Sequence, residues 1–307
     1  MNLRGKSRFF VFLCILSAFI GILFMGMSGR SSQHEENEAG ATGRSVMSAD
    51  VSPGAERRNS SGDVLQPGKP GEGSPGRHSG LPPGKPYVAI VIDDFGFSRT
   101  MAEEFAELPI PLTWSIIPFQ PYSGFSAGKA AGKKIPFLVH MPMAAQGDRN
   151  WKEKDGVIDS GMSAETVTLL LRKAMASLPG AVGMNNHRGS RATADEKIMK
   201  MVMNELASTS FIFLDSKTSS SSVAFRTAAE KGIPALSCSV FIDNQADKEV
   251  MEEELQRGMA IAAKKGWVVM IAHARQATLE FLRGKKGDSL KKGSFVTIPD
   301  LARALRP

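Results

Sequence analysis

"VAIVIDDFGFS", residues Val88 to Ser98, ends five apolar residues in two adjacent carboxylates, Asp93 and Asp94, with Gly96 close behind. A short apolar run bounded by turn residues reads as a strand buried on both faces. Such strands belong to parallel sheets covered by helices. The stretch therefore predicts an α/β fold. It also poses a question, because two like charges side by side at the end of a buried strand repel each other.

Working outward, short apolar runs alternate with helical patterns. Strands are expected at Val88–Ile92, Leu112–Ile117, Ile135–Val139, Ala181–Met184, Phe211–Leu214, Ile233–Leu236, Val268–Ile271 and Phe295–Ile298. Helices are expected near Thr100–Glu107, Gly124–Ala131, Ala164–Leu178, Ala194–Ala207, Ser222–Lys231, Lys248–Lys265 and Ala277–Arg283. Ser163 and Thr193 stand where N-caps belong. Strands alternating with helices imply parallel pairing. Seven or eight such units predict a distorted (β/α) barrel, with an open doubly wound sheet as the alternative.

The rest of the chain reads differently. Arg4, Lys6 and Arg8 precede an uncharged run from Phe9 to Met27, which is 19 residues long. That is about the length of a membrane-spanning helix. Residues 1–27 are thus expected to be a basic stub and a transmembrane signal anchor. The basic end stays cytoplasmic and the remainder is exported. This expectation places the protein in a bacterial inner membrane, single-pass, with its domain in the periplasm, or exported if the run is instead a cleaved signal. Residues 28–86 are rich in Gly, Pro, Ser and charge, with little to bury, and read as a disordered linker. Residues 87–307 form the folded domain.

The 307-residue chain has a net charge of +7 and two cysteines. No Lys/Arg stripe interleaves with aromatics, which argues against a nucleic-acid face. Cys14 lies in the apolar run and Cys238 in the folded region, so an exported domain here must fold without an internal disulfide.

In a barrel of this type chemistry collects where strands end. Asp93 and Asp94 follow the first strand, His140 the third, His187 the fourth, Asp215 the fifth and His273 the seventh, while Asp243 follows a short apolar stretch. All three histidines of the folded domain occur at expected strand ends. Histidines and a carboxylate converging on one face form the usual ligand set of an open divalent-metal site, in which three protein ligands leave a position for water. A second carboxylate can then act as base and a further histidine as acid. The inventory gives Asp94, His140 and His187 as metal ligands, Asp93 as base and His273 as acid. Zinc suits such a site best, with cobalt, nickel and iron compatible. Each residue also has an ordinary reading. The Asp pair can be a helix cap plus a solvated charge, and His140 a packed core residue. Asp215 can cap the loop "SKTSSSS", and Asp243 with Asn244 can be a turn. Their joint occurrence favours catalysis.

Taken in order, "IVIDDFG", "LPIPLTWSIIP", "LVHMPM", "VGMNNHRGSR", "FLDSKTS", "FIDN" and "IAHARQATLEFL" resemble the divergent polysaccharide deacetylase family, from Tyr87 to about Ile298. The resemblance implies a remote branch of the metal-dependent carbohydrate esterase deacetylases. It implies a distorted (β/α) barrel and removal of N- or O-acetyl groups from a polysaccharide such as peptidoglycan. It implies Asp93 as base, Asp94, His140 and His187 around the metal, and His273 as the leaving-group acid, with Asp215 and Asp243 as orienting residues. The chain departs from the family pattern at Arg188, at Ala272 and Ala274 around His273, and at Cys238 and Ser239, where a charged pair is usual. The last departure is expected to remove an ion pair that orients a catalytic group.

Two other functions compete. One is a non-catalytic glycan-binding or envelope-assembly protein that keeps the fold. The other is a glycoside hydrolase with a carboxylate pair, which needs its two carboxyls about 5–10 Å apart across the bond. Adjacent Asp93 and Asp94 suit a metal site better.

Overall fold

A computed structural model describes residues 84, 86–152, 155–285 and 293–306. The expected anchor at 1–27 and nearly all of the expected linker lie outside these residues. Among the described residues no helix is long and apolar enough to cross a membrane.

The elements run β1 (Tyr87–Phe95), α1 (Arg99–Phe105), β2 (Leu112–Ile116), α2 (Ser123–Gly132), β3 (Phe137–Met143), α3 (Ala164–Ser177), β4 (Gly183–Arg188), α4 (Glu196–Leu206), β5 (Ile212–Asp215), α5 (Ala224–Glu230), β6 (Ala235–Ser237), β7 (Val240–Phe241), α6 (Lys248–Lys265), β8 (Trp267–His273), α7 (Gln276–Arg283), β9 (Ser294–Val296) and α8 (Ile298–Ala304). Neighbouring strands pair in parallel in the order β6-β5-β4-β3-β2-β1-β8-β7, and β9 pairs with the first three residues of β1. The two ends of that order, β6 and β7, are separated in the chain only by Cys238 and Ser239. Cys238 donates its N–H to Asp215 O of β5, and Ser239 donates to Val269 O of β8, each at 2.9 Å. The sheet closes through these two residues, so the fold is a distorted (β/α) barrel and not an open doubly wound sheet.

Period-2 alternation along each strand separates two cores. Val88, Ile90 and Ile92 face the surrounding helices, together with Val139, Met141, Met184, Val268 and Met270. Ala89 and Val91 face the barrel interior with Leu138, Leu214, Leu236, Val269 and Ile271. Ile298, Leu301 and Ala302 of α8 close the barrel's N-terminal end. Each fully buried aliphatic side chain contributes about 1.5–3 kcal/mol of transfer free energy. The inward phase continues beyond the apolar residues, through Asp93 on β1, His140 on β3, Asn185 and His187 on β4, and His273 on β8.

Several boundaries differ from expectation. β3 runs past Val139 to Met143 and β4 spans Gly183–Arg188, so His140 and His187 lie inside strands. The two strands stay in register from Leu138↔Gly183 to Met143↔Arg188, and this pairing carries the histidines as ladder members. The expected strand Phe295–Ile298 ends at Val296. Thr297 instead caps α8 by accepting the Asp300 N–H, with Pro299 in the first turn. Ser163 caps α3 as expected. Thr193 does not cap α4: Asp195 accepts the N–H groups of Lys197 and Ile198 at 3.0 and 3.2 Å. Thr193 is buried and donates its hydroxyl to Gly189 O at 2.8 Å.

Candidate functional site

The adjacent carboxylates are explained by a bulge. Ile92 pairs with Trp114 and Phe95 with Ile116, so β1 uses three steps where β2 uses two. The extra residue is Asp94, held at φ 68. A residue with a side chain is strained there. In a regular strand Asp93 and Asp94 would point to opposite faces. The bulge takes up one residue and turns both carboxylates to the barrel mouth. Phe95 then regains the outward phase and stacks on Trp114, with ring centroids 4.0 Å apart. Gly96 completes the turn at φ 122, where a side chain would press on Ser123 and Gln120.

Three atoms meet at the mouth. Asp94 Oδ1 lies 3.3 Å from His140 Nε2 and 3.1 Å from His187 Nδ1, and the two ring nitrogens are 3.2 Å apart. Asp94 Oδ1 is buried and makes no hydrogen bond. Asn185 shows which His140 nitrogen carries the proton of the neutral ring. Its amide nitrogen donates to Asp93 Oδ1 at 3.0 Å and to Ser216 Oγ at 3.2 Å. Its amide oxygen therefore faces His140 Nδ1, at 2.9 Å, and that nitrogen must carry the ring proton. His140 Nε2 is left to face a carboxylate oxygen and a second ring nitrogen. Such an arrangement is repulsive unless a proton or a metal cation lies between the atoms. Bonds of about 2.1 Å to a tetrahedral cation set neighbouring ligand atoms about 3.4 Å apart, and the observed spacings match. The donor set fits a divalent cation held by Asp94, His140 and His187.

The electrostatics agree. Burial works to raise the Asp94 carboxyl, but the two imidazoles against it hold it well below the usual carboxylate range. Burial also depresses the His187 ring. It would depress His140 too, but the Asp93 and Asp94 carboxylates override it and raise that ring above its ordinary value. His140 Nε2 thus attracts either a proton or a cation, and the two compete.

On the other side of Asp93, β8 brings up His273, in register with it. Asp243 accepts the His273 Nδ1–H at Oδ1 and the His273 backbone N–H at Oδ2, each at 2.8 Å. Thr278 donates its hydroxyl to the same Oδ2 at 2.5 Å. Burial would lower His273, but Asp243, with Asp93 and Asp94 behind it, raises the ring above its ordinary value. Asp243 is held below the usual carboxylate range, its histidine and threonine partners outweighing burial.

Asp93, Asp94, His140, His187, His273 and Asp243 therefore converge, as the strand-end pattern anticipates. Asp215 does not join them. Its carboxylate accepts from Lys217 N, Ser222 Oγ and Phe225 N and so braces the loop before α5, its ordinary reading. Arg188 turns away at φ 57 and pairs with Asp148 at 2.6 Å. The Cys238–Ser239 departure lies in the seam that closes the barrel. Cys238 is buried, and burial pushes its thiol up to about 12. No ion pair stands at these two positions, and Asp93 Oδ1 accepts from the Asn185 amide. Asn185, Ser216 and Thr278 have no role in the sequence reading. Asn185 had one visible signal, its inward phase two residues before His187.

A model of the divergent polysaccharide deacetylases matches residues 90–301. An uncharacterized protein of Haemophilus influenzae is 34% identical over 196 residues, which cover 64% of this chain and 69% of that one. The uncharacterized protein YibQ of Escherichia coli K12 is 29% identical over 196 residues, covering 64% and 61%. The crystal structure of an uncharacterized protein from Agrobacterium tumefaciens C58 shares the fold. It has a TM-score of 0.66 and 19% identity, over 71% of this chain and 89% of that one. The family match spans the barrel from β1 to α8 and includes every residue of the site, and the chain belongs to the divergent polysaccharide deacetylase family.

Proposed function

We propose that this protein is a metal-dependent deacetylase that hydrolyses N- or O-acetyl groups of an envelope polysaccharide such as peptidoglycan. The convergence of Asp94 Oδ1, His140 Nε2 and His187 Nδ1, with Asp93 Oδ2 beside them at 3.5 Å from His140 Nε2, carries this reading. Asp94, His140 and His187 would hold a divalent cation, zinc foremost, which would supply Lewis acidity toward the acetyl carbonyl and a bound water. Asp93 accepts the proton of the attacking water, its carboxylate aimed by the Asn185 amide. His273 donates a proton to the departing amine or alkoxide. Asp243 keeps the His273 Nδ1 protonated and raises the ring's proton affinity, which favours the charged acid. The basic residues Arg4, Lys6 and Arg8 before the uncharged run Phe9–Met27 support an inner-membrane anchor, with the catalytic domain at 87–307 in the periplasm.

The test is bound-metal analysis combined with acetate release from acetylated glucosamine oligomers. Wild type is expected to hold metal and release acetate, and Asp93→Asn to hold metal and release almost none. A wild type that holds metal yet releases no acetate from any acetylated glycan defeats the reading. In that case the family fold serves glycan binding or envelope assembly.

A further inference from the structure

Three of the large apolar side chains most open to solvent lie on two neighbouring loops at the mouth of the barrel. Phe97, between β1 and α1, is 57% exposed, and Phe119 and Tyr122, between β2 and α2, are 59% and 41% exposed. The loops are fastened together. Tyr122 N–H donates to Gly96 O at 2.9 Å, and Ile117 N–H donates to Phe95 O at 2.9 Å. Ser123 Oγ donates to Ile117 O at 2.5 Å and accepts the Gln120 N–H at 2.9 Å. Inside this braced turn Phe119 sits at φ 63. A bulky aromatic residue is a genuine outlier there. Packing of its own ring does not compensate the strain, because that ring faces solvent. Strain of this kind persists where surrounding structure enforces it and concentrates at functional sites. The patch is continuous with the site, since Phe97 lines a cleft of about 190 Å³ with Asp94, Met101, Ala274 and Arg275.

We infer that Phe97, Phe119 and Tyr122 form a stacking platform for the sugar rings that flank the reacting unit of a glycan chain. The inference rests on the proposed deacetylase reading for the direction of the chain, from the Asp94 cleft outward. The chemistry of the patch favours a glycan. Pyranose rings present flat C–H faces that match exposed aromatic faces, while their hydroxyls stay in water. A rigid platform loses little entropy when it binds.

The test measures calorimetric affinity of the full-length protein for N-acetylglucosamine oligomers of increasing length. Wild-type affinity is expected to rise with length. Phe97→Ala, Tyr122→Ala and Phe119→Gly are each expected to lower it for the longer oligomers, by about tenfold, the size expected from burying the exposed part of one ring. Phe119→Gly guards against misfolding, because glycine relieves the positive φ. Length-independent affinity in wild type overturns the platform, as does full long-oligomer affinity in the Phe119→Gly protein. If variants instead abolish self-association while glycan affinity is untouched, the face belongs to a protein and the inference fails. The platform and the enzyme reading separate cleanly. Length-dependent binding without acetate release sustains the platform and defeats the deacetylase, and acetate release without length dependence does the reverse.

Discussion

His140 and His273 are built alike and surrounded differently. Both occupy the inward phase of a strand, and both have Nδ1 committed to an oxygen, at 2.9 Å for His140 and 2.8 Å for His273. The oxygen belongs to a neutral amide in the first case and to a carboxylate in the second. An amide oxygen fixes the tautomer and adds no charge, so what raises His140 is the Asp93 and Asp94 carboxylates at its far nitrogen, where a cation competes with a proton. A carboxylate fixes the same tautomer and raises the ring's basicity, so the far nitrogen tends to hold a proton. Asp93 stands between them, hydrogen-bonded to Asn185 on one side and paired in register with His273 on the other. On the proposed mechanism one histidine pattern supplies both a ligand and an acid, distinguished by the partner of Nδ1.

Removing one histidine from each side breaks this comparison with the largest effect. His187→Ala, or Asp94→Ala, is expected to lose bound metal and nearly all activity. His273→Ala is expected to keep its metal while acetate release falls by about 10²–10⁴-fold. Metal analysis beside single-turnover assays reads both. Metal retained by Asp94→Ala and His187→Ala would dissolve the ligand side.

The next effect is on pH. His273 is raised above its ordinary value, chiefly against burial and by Asp243. An acid with a raised value works at low pH, and its activity is lost as pH climbs through that value. Asp243→Asn removes the charge, so the alkaline limb of the rate profile should move down by about 1–3 pH units. The same linkage bears on stability. The His273 contribution is complete below its ordinary value and fades as pH rises through the raised one. Chemical denaturation across that window should show this slope in wild type and a flatter one in the variant. An unmoved alkaline limb would mean that His273 is not the titrating acid.

Asn185 tests the neutral side. Asn185→Ala leaves His140 Nδ1 and Asp93 Oδ1 without their partner, and metal affinity measured by chelator competition should weaken about 10–100-fold. A parallel loss of rate at saturating metal would report the freed Asp93.

The alternation of apolar runs made the barrel legible, and the placement of histidines at strand ends made most of the site legible. What stayed hidden shares a physical cause, dependence on contacts remote in sequence. The bulge at Asp94 is visible only against the register of β2, although Gly96 hinted at a turn. The seam at Cys238 and Ser239 joins strands of three and two residues, too short for any period to show. The role of Asn185 depends on which atoms Asp93 and Ser216 present to its amide, and these come from β1 and the loop after β5. Asp215 shows the converse. Its loop of serines was local, and the local reading was the right one.

The smallest predicted effect separates charge from packing on the acid side. Thr278 is buried and donates to Asp243 Oδ2, which also receives the His273 backbone N–H. Thr278→Val keeps the shape and deletes the donor. Deleting a donor leaves the Asp243 charge less shared, so it should hold the His273 proton more firmly. The alkaline limb should therefore shift upward, by a fraction of a pH unit, opposite in sign to the Asp243→Asn shift. The rate on the plateau should change by less than about tenfold, the range of one hydrogen bond's net contribution of about 0.5–1.5 kcal/mol. A purely structural role for Thr278 predicts lower thermal stability with the limb unmoved. A downward shift would show that Thr278 supports the Asp243 charge by positioning it, and the account of Thr278 as only sharing that charge would have to be given up.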